Sequence, residues 1–190
     1  MNSPYPVSLE VDYPDRPLDR VTTFFRPFTL IPIAVILGLM SGAMASKYGA
    51  IALMLLFRNK YPRWWFDWNV ALTKFTTRVT AYFCLMRDEY PSTDEEQAVH
   101  ISIEYPDAKQ LSPWMPLVKW FLAIPHYIVL SFLWIGGAIS IMIAWFAIVL
   151  TGRYPKGLFD FIVGLFRWQL RVNAYAFLLV TDIYPPFSLE

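Results

Sequence analysis

The segment that decides the fold occurs twice, as YPRWWFDWNVALTKFTTRVTAYFCL at residues 61–85 and as YPKGLFDFIVGLFRWQLRVNAYAFL at residues 154–178. Eleven of the twenty-five aligned positions are identical, at a constant spacing of 93 residues. Upstream of it, the Tyr-Pro-Asp sequence at residues 13–15 returns at residues 105–107. Self-similarity at a fixed spacing predicts two tandem copies of one structural unit.

Each copy has the same order of elements: a short alternating strand, a long apolar stretch, a Tyr-Pro corner and an aromatic-rich helix. The strands are Val7–Tyr13 and Val99–Tyr105. Strands this short are unstable alone, so we expect them to pair with each other, with the C-terminal tail or with a partner's sheet. Proline disfavours helix at the preceding residue, so the Tyr-Pro corners predict breaks between helices. Unit one is expected at 1–91, a hydrophilic linker at 92–98 and unit two at 99–190.

The composition indicates an integral membrane protein. Hydrophobic residues make up 56% of the chain and charged residues only 16%, whereas soluble domains are about 45–50% apolar and about 25% charged. A net charge of +1 gives no signature of nucleic-acid binding. The single cysteine, Cys84, excludes an internal disulfide and a cysteine-based zinc site.

Two apolar stretches predict membrane helical hairpins, deep or fully spanning. Residues 120–152 carry no Lys, Arg, Asp or Glu, and as one straight helix they would measure about 50 Å, against a hydrocarbon core of about 30 Å. Turns are predicted at Gly136-Gly137 and at Lys47-Tyr48-Gly49. Both ends of each stretch are basic, and basic residues cluster on the cytoplasmic side. We therefore expect hairpins at 24–57 and 117–151, with all their ends in one compartment.

The aromatic helices, expected at 64–86 and 158–179, carry charges at matching positions. The spacing i, i+7, i+11 places these charges on one helical face. A narrow charged stripe on a broad apolar helix is typical of a helix that lies in the membrane interface. A spanning helix would bring the charges near the bilayer centre, at about 2.5–3.5 kcal/mol each. The candidate lipid-headgroup or partner contacts are Asp67, Lys74, Arg78, Asp160, Arg167 and Arg171.

These patterns together predict a mainly α membrane protein of two repeats. Each repeat consists of a short β-strand, a membrane helical hairpin and an interfacial amphipathic helix. The alternative, three spans in each unit, would invert unit two relative to unit one. The basic stripe residues are expected to snorkel and to pair internally with Asp67 and Asp160. His126, matched by Ile33 in unit one, is expected to be a neutral histidine near the headgroups rather than a metal or haem ligand.

The second unit resembles a known family. The string GRYPKGLFDFIVGLFRWQLRVNAYAFLLVTDIYPPFSL at Gly152–Leu189 and the string LAIPHYIVL at Leu122–Leu130 are similar to the bacterial family called domain of unknown function 4389. Unit one is a diverged copy, with Asn59-Lys60-Tyr61-Pro62 in place of Gly-Arg-Tyr-Pro. The resemblance implies a membrane protein and no particular activity. With the basic corners, it predicts a multi-pass protein of the bacterial inner membrane, with repeat ends and termini in the cytoplasm.

The motifs favour a non-enzymatic protein without cofactor or metal. The sequence has no Gly-rich phosphate loop, no G-x-S-x-G and no His/Glu metal pair on one helix, so a membrane enzyme would lack a candidate nucleophile or acid–base pair. The leading interpretation is an accessory or scaffold subunit of a larger membrane complex, with membrane lipids and a membrane protein or a second copy as partners. The alternative is a protein that binds a lipid or lipophilic molecule, such as an acyl chain or a quinone, in a groove between the repeats, with the stripe arginines at its headgroup.

Overall fold

In a computed structural model, which describes residues 5–41, 44–93 and 95–190, the chain is mainly helical with one two-stranded sheet. The helices are α1 (Arg20–Ser41), α2 (Met44–Arg58), α3 (Arg63–Phe83), α4 (Met115–Leu122), α5 (Ile124–Thr151) and α6 (Lys156–Ala176). The strands are β1 (Val7–Val11) and β2 (Val99–Ile103).

The two repeats are confirmed in the helices that follow the Tyr-Pro corners. Both ends of α6 lie 93 residues after the corresponding ends of α3. Each helix starts after a proline in the extended conformation, Pro62 with ψ 131° and Pro155 with ψ 123°. The residue two positions before each Tyr-Pro corner has a positive φ, 46° at Asn59 and 73° at Gly152. The corners therefore break the helices, as their prolines predict.

The strands pair with each other, which confirms one of the three expected pairings. β1 is antiparallel to β2, and the central pair is Leu9 with Ile101. These two residues are also equivalent in the repeats, so a pseudo-twofold axis passes through this pair. β1 packs on α6 and β2 packs on α3. Each unit thus gives its strand to the helix of the other unit.

The elements form three layers, with α3 and α6 between the sheet and the outer helices. α5 packs on α6, where Trp134 donates from Nε1 to Oε1 of Gln169 at 3.1 Å. α1 packs on α3, where Ile33 joins the buried cluster of Leu72 and Phe75. The side chains of Val7, Leu9, Val99 and Ile101 close the other side of this middle layer. The main core therefore lies between the sheet and the outer helices.

The predicted turns are wrong. α5 is continuous through Gly136 and Gly137. Gly137 allows α5 and α6 to approach closely, since a Cβ at this position would lie only 3.0 Å from Cδ1 of Leu165 on α6. In unit one, residues 47–49 lie inside α2. The helices of unit two are interrupted instead at Ala123. In place of a hairpin at 117–151, unit two has the short α4 and the long α5.

The environment of α6 also differs from the expectation. Thirteen of its 21 residues are buried, so the broad apolar face predicted to meet lipid meets α5 and β1 instead. The expectation failed because an amphipathic pattern shows that one face is apolar but not what covers it. α3 is less enclosed, and its side chains Trp64 and Phe83 are exposed.

Among the described residues, two helical runs are long and apolar enough to cross a membrane. Arg20–Met40 has a mean hydropathy of 1.8, and the run Met115–Thr151, which joins α4 and α5, has 2.3. Only 17% of the first window and 22% of the second is buried. Most of this apolar surface therefore faces outward rather than into the protein core.

Candidate functional site

The two stripe aspartates lie at the exposed starts of α3 and α6. Asp67 pairs with Arg63 at 3.1 Å, and Asp160 pairs with Lys156 at 3.3 Å, each one helical turn away. Both pairs are well exposed to solvent, so they contribute little to stability. The expected internal pairs between these aspartates and the stripe arginines are therefore wrong.

The two equivalent stripe arginines, Arg78 and Arg171, are buried and bind backbone carbonyls. Nη1 of Arg78 donates to the carbonyl of Ser92 at 3.1 Å, and Nη2 of Arg171 donates to the carbonyl of Ser188 at 2.6 Å. Burial lowers the pKa of the Arg171 guanidinium. In each unit the arginine ties the segment after the helix back onto the helix. Contact of the six stripe residues with lipid headgroups or a partner stays a prediction.

The other two basic stripe residues face the sheet. Nε of Arg167 donates to the carbonyl of Leu9 in β1 at 3.0 Å. Lys74 lines a cleft of about 200 Å³ together with Arg78, Glu10 and Glu96. The stripes therefore join the middle layer to the polar sheet and the loop before β2.

A second repeated feature, a buried basic residue paired with an aspartate, was missed in the sequence. Nη2 of Arg26 lies 2.8 Å from Asp88, and Nζ of Lys119 lies 2.6 Å from Asp182. The two bases are 93 residues apart and the two acids 94 apart. A matched basic residue beside each apolar stretch was the available signal. The pairing with Asp88 and Asp182 could not be read from the sequence, because each acid lies more than 60 residues from its base.

His126 is enclosed by aromatic rings. Its side chain is 0% exposed, its Nδ1 accepts a hydrogen bond from Nε1 of Trp168 at 3.0 Å, and the Phe187 ring stacks on it at 4.0 Å. A ring nitrogen that accepts a hydrogen bond carries no proton, so the imidazole is neutral and its proton lies on Nε2. This agrees with the expected neutral histidine. Within the described ranges, no three His, Cys, Asp or Glu side chains group as metal ligands.

A groove of about 300 Å³ lies between α3 and α6, where the pseudo-twofold axis passes. The positions that line it are equivalent in the two units: Thr73, Thr76, Thr77 and Thr80 on α3 match Phe166, Gln169, Leu170 and Asn173 on α6. The groove is completed by Tyr48, Asn69, Leu72, Trp134 and Leu178. Among the described residues, those that line the groove carry no charge.

The family model for Domain of unknown function (DUF4389) matches this chain twice, at residues 20–93 and 115–188. The chain belongs to the DUF4389 family. No curated protein and no solved structure matches it. The two matches confirm the internal repeat and the resemblance. Strands β1 and β2 lie outside both matched ranges.

The groove between the two DUF4389 domains offers both hydrogen-bond donors and hydrogen-bond acceptors. The hydroxyl of Thr76 donates to the Leu72 carbonyl at 2.8 Å, and the hydroxyl of Thr80 donates to the Thr76 carbonyl at 2.8 Å. Their oxygens keep lone pairs that can accept. On α6, the Oε1 of Gln169 accepts from Trp134, which leaves its NH₂ group as a donor. The groove therefore suits an uncharged polar group with an apolar remainder.

Proposed function

We propose that this DUF4389 protein is a non-enzymatic protein of the bacterial inner membrane that binds a neutral lipophilic molecule between its two domains. One observation carries the proposal: an uncharged groove, lined by threonine and amide side chains, lies on the axis between the domains. The polar end of the ligand would bind these side chains. Its apolar remainder would contact Leu72, Trp134 and Leu178.

The outer helices support residence in a membrane. α5 carries no charged residue over its 28 positions, and large apolar side chains are exposed along its whole length and along α1. Soluble monomers rarely expose contiguous apolar patches larger than a few hundred Å². The exposed set comprises Val21, Phe24, Phe25, Phe28, Ile31, Val35, Ile36 and Leu39 of α1, and Ile128, Val129, Phe132, Ile135, Ile139, Met142, Ile143, Phe146 and Leu150 of α5.

The lining narrows the class of ligand. An anionic headgroup is disfavoured, because Arg78 and Arg171, which were expected at the headgroup, bind backbone carbonyls outside the groove. A volume of about 300 Å³ is at the small end of ligand pockets. It accommodates a ring or a small polar head rather than a whole lipid. A quinone or a long-chain acyl compound with a neutral oxygen fits this description.

The test is mass spectrometry of organic extracts of the protein purified in mild detergent. We expect one neutral lipophile at close to one molecule per chain. Thr76→Leu fills the groove and should reduce this occupancy at least tenfold. The matched control is Thr151→Leu, because the Thr151 hydroxyl also donates to the carbonyl four residues earlier, at 2.6 Å, but at the exposed end of α5. Equal occupancy in both variants, or no bound lipophile in the unmodified protein, would refute the proposal.

A second candidate, the accessory subunit, is favoured by the surface of α4 and the residue before it. Trp114, Trp120 and Phe121 are exposed there, and aromatic side chains are enriched at protein interfaces. Cross-linking in native membranes, followed by purification under denaturing conditions, tests this candidate. A defined partner that is lost when Trp120 and Phe121 are both changed to Ala supports a subunit role. A chain that is never cross-linked to another protein contradicts it.

A further inference from the structure

The direction of α5 relative to the membrane is not decided by its length. At 28 residues the helix is about 42 Å long, which is enough to cross a hydrocarbon core of about 30 Å. Its position relative to the sheet decides the direction instead.

The sheet lies level with the middle of α5, on the far side of α6. α5 and α6 run antiparallel: His126 near the start of α5 contacts Trp168, and further along a Cβ at Gly136 would lie 3.7 Å from the ring of Phe161. Arg167, at the middle of α6, donates to Leu9 at the middle of β1. The centre of the sheet, the middle of α6 and the middle of α5 therefore follow one another along the pseudo-twofold axis.

A crossing orientation of α5 would put this sheet at the centre of the bilayer. The outward side chains of the sheet, which include Ser8, Glu10, His100 and Ser102, are exposed. The sheet is two-stranded and open, and hydrocarbon offers no hydrogen-bond partner to an exposed strand edge. A charged side chain at that depth, such as Glu10, adds a further cost.

We propose that the protein is monotopic: α1 and α5 lie along the plane of the membrane within one leaflet, and the sheet faces water. The inference rests on the membrane residence proposed above. The pseudo-twofold axis then runs along the membrane normal, so α3 and α6 lie in the same plane one layer nearer to water. This orientation keeps all repeat ends on one side, as the basic corners predict, without any crossing.

The charges complement the phosphates of that leaflet. Exposed basic side chains stand at both ends of the apolar layer, with Arg20 and Arg153 at one end and Arg58 and Lys60 at the other. The backbone N–H of Leu18 bonds to the carbonyl of Gly152 at 2.8 Å, which holds the start of α1 beside the end of α5. An axis along the normal places both ends at one depth, where they can reach anionic headgroups.

The orientation also turns the groove toward the membrane. Tyr48 of α2 and Trp134 of α5 line the groove, whereas the described residues of the strands do not. The groove therefore lies on the side of the middle layer that faces the outer helices. A lipophile would enter it from the acyl chains of the leaflet.

Depth measurements along α5 test the proposal. Cysteines placed singly at Ile128, Ile135, Ile139, Phe146 and Leu150 would carry an environment-sensitive fluorophore, in vesicles whose lipids are brominated at known depths. Native Cys84 is buried, and burial raises its pKa to about 12, so the unmodified protein should take up no label.

We expect the same depth at all five positions. Residues 128 and 150 are about 33 Å apart along the helix, so a crossing helix would place position 139 about 16 Å deeper than the two ends. A V-shaped depth profile overturns the monotopic orientation and leaves the groove ligand untouched. Absence of quenching at every position contradicts membrane residence itself, and both proposals then fail. Ser102→Cys, on the outward face of the sheet, should react with a membrane-impermeant maleimide, and protection of this residue would also contradict the orientation.

Discussion

The outer helices of the two repeats differ where the middle helices agree. α3 and α6 have equal lengths, whereas the outer helices do not match: α1 runs unbroken through Leu30, the position equivalent to Ala123, which separates α4 from α5 in unit two. The equivalent prolines show the difference: Pro32 lies inside α1, but Pro125 lies in the first turn of α5, where a missing N–H costs nothing. The parts that contact the other unit across the axis have kept their form. The outward-facing parts have diverged.

A second difference lies under the C-terminal segment. In unit two, His126 and Trp168 form a buried hydrogen bond, and the equivalent residues of unit one, Ile33 and Phe75, form an apolar contact. In unit two, the ring of Phe187 stacks on the His126 ring of this polar pair. Similar positions can therefore be filled by polar or apolar chemistry, provided that each pair is complementary.

The largest expected effect comes from a feature that the repeats share. Lys119→Met leaves Asp182 without its cation, and Arg26→Met does the same to Asp88. Breaking such a pair costs about 3 kcal/mol of the free energy of unfolding, measured by denaturant titration in mild detergent. The double variant Lys119→Met/Asp182→Asn should recover part of the loss. Unequal losses for Lys119→Met and Arg26→Met would show that the two pairs, although similar in geometry, contribute differently to the free energy of unfolding.

An intermediate effect is expected from importing the apolar pair of unit one into unit two. His126→Ile removes the acceptor of the Trp168 N–H and leaves a buried donor unpaired, at a cost of about 2 kcal/mol. Adding Trp168→Phe removes the unpaired donor, so the double variant should be more stable than the single one. Thermal unfolding of the single and double variants measures the coupling. Additive losses would contradict a specific hydrogen bond.

The smallest effect concerns the starts of α1 and α4. Asp19 accepts hydrogen bonds from the backbone N–H groups of Val21 and Thr22 at 2.7 and 2.9 Å, which lowers the pKa of its carboxyl. A lowered folded-state pKa gives stability that is present above the unfolded value of about 4 and is lost as the pH falls through the folded value. The equivalent residue of unit two is Ser112, which does not titrate.

Asp19→Asn should therefore flatten the loss of thermal stability below about pH 4, and leave stability near pH 7 almost unchanged. Ser112→Asn is the matched control and should leave the acid slope as it is. An acid slope that is unaffected by Asp19→Asn would exclude this cap as its source.

The repeat, the corners and the strands were predictable because each follows from local chemistry repeated at a fixed spacing. Pro62 and Pro155 stand directly before α3 and α6, where the restriction that proline places on the residue before it is local and does not depend on distant parts of the chain. The role of Gly136 and Gly137 does depend on them: a glycine pair marks a turn in one context and a close helix contact in another, and the contact with Leu165 is made by a distant residue. The groove was anticipated between the repeats, but its uncharged lining was not. Whether Arg78 and Arg171 would meet lipid or a backbone carbonyl depends on the path of the segments after the helices.

The exchange of strands has a consequence for the origin of the chain. A lone copy, equipped with one strand and one set of helices, would have to pair with a second identical molecule to cover its middle layer, as in a domain-swapped homodimer. Fusion of the two copies replaces that encounter by a high effective concentration within one chain. It also removes the demand that both halves be identical, so that one half could acquire a buried histidine while the other kept an isoleucine.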